Sequence, residues 1–277
     1  MTAGTLYIVA TPIGNLADIS QRAVETLGAV DFIAAEDTRR CQKLLNHIGI
    51  SAKVITYHDH NDSGRADELL DQLTAGRSMA LVSDAGTPLI ADPGYRLVRG
   101  AHQRGIQVVP VPGACAAIAA LCAAGQPSDR FIFEGFLAAK AVARRNRLAE
   151  LAHEPRTLVF YEAPHRVAET LDDMIHAFGG DRPAALAREL SKLYETIASS
   201  TLAELKGLVE GDSNQSRGEI VLVVAGSTNV QTESQLARAV EVAQILRDKL
   251  SVKDAAAMAS KICDAPRNAI YRALIER

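Results

Sequence analysis

Along the first 112 residues, short apolar runs alternate with longer stretches in which apolar positions recur every three or four residues. The runs are LYIVAT (6–11), VDFIAA (30–35), KVITYH (53–58), MALVSD (79–84) and IQVVPV (106–111). Between them lie ISQRAVETLG, TRRCQKLLNHIG, ADELLDQLTAG and YRLVRGAHQRG, three of which end at Gly49, Gly76 and Gly105. Glycine there favours the left-handed residue that closes a helix. Short β-branched runs alternating with helices predict βαβ units and a parallel sheet. Such sheets bind ligands beyond the carboxyl ends of their strands, so the loops after the strands matter most.

After PVPG (110–113) the pattern changes. A small-residue helix over 114–125 leads to the strand FIFEGF (131–136), a basic helix near 140–152, and the strand TLVFYE (157–162). A helix starts at Pro164, and RPAALARELSK (182–192) follows, unassigned. Thr201 and Glu204 have capping-box spacing for a helix over 201–209, ahead of a strand in 218–226. The polar stretch 227–235 is expected to be a linker to helices over about 236–249, 252–261 and 266–276, with Ser251 as a cap and Pro266 at a helix start. The expected fold class is α/β. Domain 1–113 carries a parallel sheet, 114–227 a mixed α+β sheet, and 232–277 a small helical module resembling a helix-turn-helix.

The 277 residues are 48% hydrophobic, enough for a sizeable core and against disorder. No run approaches the roughly 18–20 apolar residues of a membrane span, and the N-terminus lacks a cationic signal region. Cys41, Cys115, Cys122 and Cys263 are scattered without a C-x-x-C pair, so no disulfide framework or metal site is expected, and the default location is the cytoplasm. The formal net charge of −3 excludes a uniformly basic nucleic-acid coat. Local patches survive that exclusion. The helix at 140–147 holds Lys140, Arg144, Arg145 and Arg147 without an acid, and residues 238–277 hold eight basic and five acidic side chains. The bland alternative for either patch is a solvated helix face.

The glycine fingerprints of dinucleotide and P-loop sites are missing, as are H-E-x-x-H and G-x-S-x-G. The strand-end loops carry what chemistry there is: TPIGN (11–15), AEDTR (35–39), YHDHN (57–61), SDAGTPLIADPG (83–94) and PVPGACAA (110–117). In the fourth, Gly86 and Gly94 permit close backbone approach, Pro88 and Pro93 stiffen the chain, and Asp84, Thr87 and Asp92 add polar groups. No Lys or Arg is there to neutralise a polyphosphate. A nucleoside with a positive centre fits such a loop better than ATP.

These loops, continued by PSDRFIFEGFL (127–137), TLVFYEAPHR (157–166) and ARELSKLYE (187–195), resemble in order the tetrapyrrole-methylase superfamily of S-adenosylmethionine-dependent enzymes. Within it the chain is similar, over nearly its whole length, to the ribosomal small-subunit RNA methyltransferase I (RsmI) family. The resemblance implies two α/β domains with S-adenosyl-L-methionine in the cleft between them. It further implies methylation of the ribose 2′-O of a cytidine, position 1402, in 16S rRNA of the small ribosomal subunit, by a homodimer. Carried over, the cofactor positions fall on Pro12, Asp84, Ala85, Gly86, Thr87, Ile90, Cys115, Ala116, Tyr161 and Glu162, with weaker transfers at Arg188 and Val224–Ala225. Superfamily relatives carry G-D-P where Gly86-Thr87-Pro88 stands, which leaves the Thr87 contact open.

Methyl transfer from a sulfonium is an in-line displacement needing no metal, and a ribose hydroxyl needs a proton acceptor. Glu36, Asp37, His58, His60 and Glu162 are the candidates for that role, although Asp37 and Glu162 could instead cap helices. Arg39, Asn61 and Arg166 are expected on the RNA side, together with Lys140, Arg144, Arg145, Arg147, Arg267 and Arg272. A tetrapyrrole methyltransferase and a non-catalytic ribosome-binding protein on the same fold are the competing readings.

Overall fold

In the computed structural model, which describes residues 3–58, 63–212 and 214–275, the alternating pattern becomes two five-stranded sheets and a helical tail. The first sheet is built from β1 (Thr5–Val9), β2 (Phe32–Ala35), β3 (Val54–Thr56), β4 (Met79–Val82) and β5 (Gln107–Val111). Its order is β3-β2-β4-β1-β5 and every pairing is parallel. The connections run through α1 (Gln21–Ala29), α2 (Thr38–His47), α3 (Ser63–Thr74) and α4 (Tyr95–Gln103). Strands β2 and β4 are buried along their whole length because helices cover both faces. The period of two divides their side chains. Phe32, Ala34, Met79 and Leu81 pack on Leu69, Leu73 and Leu97 of α3 and α4, whereas Ile33, Ala35, Ala80 and Val82 pack on Leu27 and Leu45 of α1 and α2. Each such leucine contributes roughly 1.5–3 kcal/mol by leaving water.

The second sheet follows α5 (Ala116–Ala123) and has the order β6-β7-β10-β8-β9. Its strands are β6 (Phe131–Phe136), β7 (Thr157–Glu162), β8 (Pro183–Arg188), β9 (Thr196–Thr201) and β10 (Ile220–Val224). Only β6 and β7 run parallel, so the sheet is mixed. One face packs on α6 (Ala141–Leu151), α7 (Val167–Phe178) and α8 (Leu202–Gly211). The other packs on α5, and Ile13 from the loop after β1 enters that same cluster, tying the two halves together. Thr201 caps α8 in a full capping box with Glu204.

Two elements depart from the sequence pattern. RPAALARELSK contains a central strand, β8, although alanines favour helices. Ala184, Ala185 and Ala187 are buried between two neighbouring strands, and the small side chains of Ala185 and Ala187 let α5 approach the sheet. The expected linker at 227–235 is instead the start of α9 (Asn229–Leu246), which packs with α10 (Val252–Cys263) and α11 (Arg267–Ile275) around Ala239, Ala243, Ala256, Ala259 and Ile270. Gln and Glu are good helix formers, so polarity alone did not mark a break. No helix among the described residues is long and apolar enough to cross a membrane.

Candidate active site between the two sheets

The loop after β4, residues 83–94, folds back over the carboxyl edge of the first sheet. Thr11 and Gly86 exchange backbone hydrogen bonds of 2.8 and 3.1 Å, and Gly86 takes a φ of +85° to do so. Thr87 donates its hydroxyl to the carbonyl of Ala114 at 3.0 Å, fastening the loop to the turn before α5. Leu89 and Ala91 are held left-handed at φ +73° and +61°, each costing about 1–3 kcal/mol. Gly94 closes the loop at φ +133°, where a Cβ would meet Leu81 Cδ2 at 2.8 Å.

Facing this loop are the end of β7 and the start of β10. Between them lies a cavity of about 400 Å³, within the usual range for small-molecule sites. The loop wall presents Asp84, Ala85, Gly86, Thr87, Ile90 and Asp92, and the opposite wall Tyr161, Glu162 and Gly218–Val221, with Ala116 and Phe136 at the sides. Tyr161 is wedged edge-on against Phe133 and Phe136 at 5.0 and 5.5 Å, and its hydroxyl accepts from the Ala117 amide at 3.1 Å. Burial pushes its phenol well above the ordinary tyrosine range.

The carboxylates differ sharply. Glu162 is buried and accepts from the Ala163 amide (2.7 Å), the Arg166 guanidinium (2.6 and 3.0 Å) and the Thr170 hydroxyl (2.6 Å). Asp84 accepts from the Asp37 amide at 2.9 Å and pairs with Arg40 at 3.2 Å. Asp37 caps α2, accepting from the Arg39 amide at 2.8 Å and from the Arg39 guanidinium, and the Arg39 hydrogen bonds hold its carboxyl down at about 2. Asp92 goes the other way. Burial, reinforced by the charge on Glu36, pushes it up to about 6, against the pull of a hydrogen bond from Ser83.

Of the ten cofactor positions read from the sequence, Asp84, Ala85, Gly86, Thr87, Ile90, Ala116, Tyr161 and Glu162 line this cavity. Pro12 lines a smaller adjoining cavity of about 210 Å³ with Arg40 and Lys43, and Cys115 lines a third on the other side of Ile13. Arg188 donates to the Tyr194 carbonyl and the Thr196 hydroxyl, and the register of β10 puts Ile220, not Val224, beside Glu162. Glu36 is half-buried, His58 is exposed where the described segment stops, and His60 and Asn61 lie outside the described residues.

The basic helix α6 requires a correction. Arg144 is 2% exposed and binds Asp173 at 2.6 Å, so it is a core ion pair and not a contact for RNA. Arg145 shares that aspartate at 2.6 Å, and Arg147 is clamped by Glu134 and Glu150 at 2.8 and 2.7 Å. Two of these acids, Glu134 and Asp173, come from β6 and α7 and only Glu150 from α6 itself, so the local sequence looks undiluted. Arg166 is likewise spent on Glu162 and stays largely buried. Arg39 is exposed but paired with Asp37, whereas Lys140, Arg267 and Arg272 are exposed. The start of β10 carries no local signal, because nonlocal pairing alone brings it to the cavity, and Asp92 is one of several polar groups in its loop by sequence.

Comparison with known proteins gives a consistent picture. Residues 5–206 match the model of the tetrapyrrole (corrin/porphyrin) methylases, and residues 233–277 that of the RsmI C-terminal HTH domain. A ribosomal RNA small subunit methyltransferase I from Pseudomonas aeruginosa is 54% identical, over 100% of this chain and 99% of that protein. Its counterpart in Escherichia coli O157:H7 is 52% identical over 99% of this chain and 96% of that one. Among solved structures, a cobalt precorrin-4 methyltransferase of cobalamin biosynthesis shares the fold at TM-score 0.59 and 19% identity, covering 80% of this chain and 94% of that one. So does the uroporphyrin-III C-methyltransferase of Thermus thermophilus, solved with S-adenyl homocysteine, at TM-score 0.55 and 18% identity, covering 80% and 97%.

Proposed function

The chain belongs to the tetrapyrrole methylase family and, within it, to the ribosomal RNA small subunit methyltransferase I group, and from that premise we propose how its cavity works. The protein is a methyltransferase of small-subunit ribosomal RNA. It transfers a methyl group from S-adenosylmethionine to the ribose 2′-O of the cytidine at position 1402 of 16S rRNA, in the cytoplasm and as a homodimer. The division into 1–113, 114–227 and 232–277 follows the same reading, with the last piece, carrying exposed Arg267 and Arg272, on the RNA.

The observation that carries this reading is the cavity between the two sheets, walled by the 83–94 loop on one side and β7 and β10 on the other. Its residues suit a cofactor with a sulfonium and an ammonium: among the described residues Asp84, Asp92, Glu162 and Glu219 supply negative charge, against Arg40 as the one lining cation. The tight turn at Gly86 leaves backbone at the wall, and Tyr161 and Ile90 supply apolar surface. Asp84, Ala85, Gly86, Thr87, Ala116 and Tyr161 would hold the cofactor, which supplies an electrophilic methyl carbon. The protein's own task is positioning: aligned reacting groups account for much of the rate in such displacements. Arg40 and the Asp37 amide fix Asp84, and Thr87 fixes the loop, so the wall is rigid before anything binds.

The test uses labelled S-adenosylmethionine with small ribosomal subunits, free 16S rRNA and uroporphyrinogen in parallel. Label on the ribose of one cytidine in the RNA is the expected result. Label on the tetrapyrrole alone would sink the reading.

A further inference from the structure

We propose that Phe136, at the end of β6, is the platform on which the base of the acceptor cytidine stacks, a role that rests on the RNA methyl-transfer reading above. Phe136 lines the cavity and is nevertheless 58% exposed. Ile13, Ile220 and Val221 of the same lining are buried, and Tyr161 is half-buried. A phenyl ring left open to water forfeits the burial that a fold usually takes from it. Tyr95, Tyr194, Tyr271 and Phe131 are exposed as well, but none of them lines the cavity.

An irregularity in the sheet puts the ring there. Strands β6 and β7 run parallel, with Phe133 opposite Val159, Gly135 opposite Phe160 and Phe136 opposite Tyr161, so Glu134 is an extra residue. Gly135 takes φ +65° at this bulge. Side chains alternate along a regular strand, so residues three apart face opposite ways. The extra residue brings Phe133 and Phe136 to the same side, where both rings meet Tyr161 in T-shaped contacts at 5.0 and 5.5 Å. Bulges re-aim side chains beside active sites in this way. Glu134 takes no part in the pairing and binds Arg147 at 2.8 Å. Tyr161, itself held by the Ala117 amide, braces Phe136 from one side and leaves the rest of the ring to solvent.

The charges around the ring decide which part of an RNA it can receive. Asp84, Asp92, Glu162 and Glu219 line the cavity against Arg40 alone, so a phosphate is repelled there. A base is uncharged, and stacking on an aromatic side chain is the common way for a protein to hold an unpaired one. The exposed Lys140, at the N-cap of α6 four residues beyond Phe136, stands outside that lining and suits the adjoining phosphate. A stacked base fixes its own ribose, and with it the direction from which the 2′-oxygen reaches the methyl carbon. Every base has a π-face, so Phe136 sets where the acceptor nucleotide lies and not which base it carries.

The experiment follows methylation of small ribosomal subunits by wild type, Phe136→Ala, Phe136→Leu and Phe136→Tyr, with calorimetric titration of S-adenosylmethionine into each protein. Phe136→Ala is expected to lower kcat/KM for the subunit by about 10–100-fold. Phe136→Leu keeps the apolar bulk without the π-face and should fare no better than Ala, whereas Phe136→Tyr should return to within about threefold of wild type. All four should bind S-adenosylmethionine within about threefold of one another. A Phe136→Leu protein as active as wild type would overturn the proposal, as would a loss of cofactor affinity that tracks the loss of methylation, since the ring would then serve the cofactor. Should Phe136→Ala fail to fold, the Leu and Tyr pair decides alone. Subunits reconstituted around 16S rRNA with an abasic ribose at the methylated position give the second readout. Removing the base should slow wild type by about 10–100-fold and Phe136→Ala by less than about threefold, and equal losses in the two proteins would overturn the role. A wild type that methylates uroporphyrinogen and no RNA removes the underlying reading and the proposal with it, and is recognised before any variant is made.

Discussion

The two walls of the cavity carry the same kind of side chain and use it in opposite ways. On the β7 wall, Glu162 is 2% exposed and hydrogen-bonded by a backbone amide, a guanidinium and a hydroxyl. On the loop wall, Asp92 lies near Glu36 and Asp84, and its proton is held more tightly than in water. A buried charge with all its partners is part of the fold and chemically quiet. A charge set among like charges costs stability and gains basicity. The non-glycine positions held at positive φ follow the same division among the described wall residues, since Leu89 and Ala91 both lie in the loop.

The sharpest way to break the contrast is to remove Glu162. Glu162→Ala strands the Arg166 guanidinium, whose side chain is 15% exposed, and the fully buried Thr170 hydroxyl. Loss of one member of a buried pair costs about 3–5 kcal/mol, which urea unfolding should register as a lowered midpoint. The double variant Glu162→Ala with Arg166→Met should recover part of that loss. A single variant within about 1 kcal/mol of wild type would mean that Glu162 is no more structural than Asp92.

Gly94→Ala probes the loop wall. The added Cβ would meet Leu81 Cδ2 at 2.8 Å in a backbone conformation that L residues rarely adopt. Overpacking of this kind costs about 1–3 kcal/mol, less than the Glu162 change. Its distinguishing effect is functional: the loop must shift, so S-adenosylmethionine affinity should fall, measured calorimetrically on a protein that still unfolds cooperatively. An unchanged affinity would separate the loop's strain from its binding role.

How much of this was legible beforehand depended on how far apart in sequence the interacting residues lie. The loop 83–94 announced itself because its glycines, prolines and acids are adjacent and follow an apolar run. The Thr201–Glu204 box was equally local. Arg144 misled, because Asp173, which buries it, lies on another helix, and a helical wheel of α6 contains no trace of it. The start of β10 reaches the cavity only through its antiparallel register with β7, where Ile220 meets Glu162. Strand β8 hid for a similar reason: its alanines are chosen by the approach of α5, and intrinsic propensity points the other way. Asp92 could be read as a loop acid, but its elevated proton affinity needs Glu36, from a different strand end.

The smallest expected effect separates the two carboxylates most cleanly, because it changes sign with pH. Below about 3.8, Asp92 is protonated in both folded and unfolded chains and contributes nothing. Between 3.8 and about 6 the unfolded chain releases the proton while the folded one keeps it, so stability falls as pH rises through that window. Above about 6 the penalty is complete and constant. Asp92→Asn abolishes the titration without changing the shape of the side chain, and should therefore be more stable than wild type at neutral pH. Because Asp92 is only half-buried, solvent screening holds the gain to about 1 kcal/mol, or about 2 °C in Tm. The advantage should shrink steadily on acidification and vanish near pH 4, in parallel melts of the two proteins. An Asp92→Asn protein less stable than wild type at neutral pH would mean that Asp92 is paired as Glu162 is, and the two walls would then be alike.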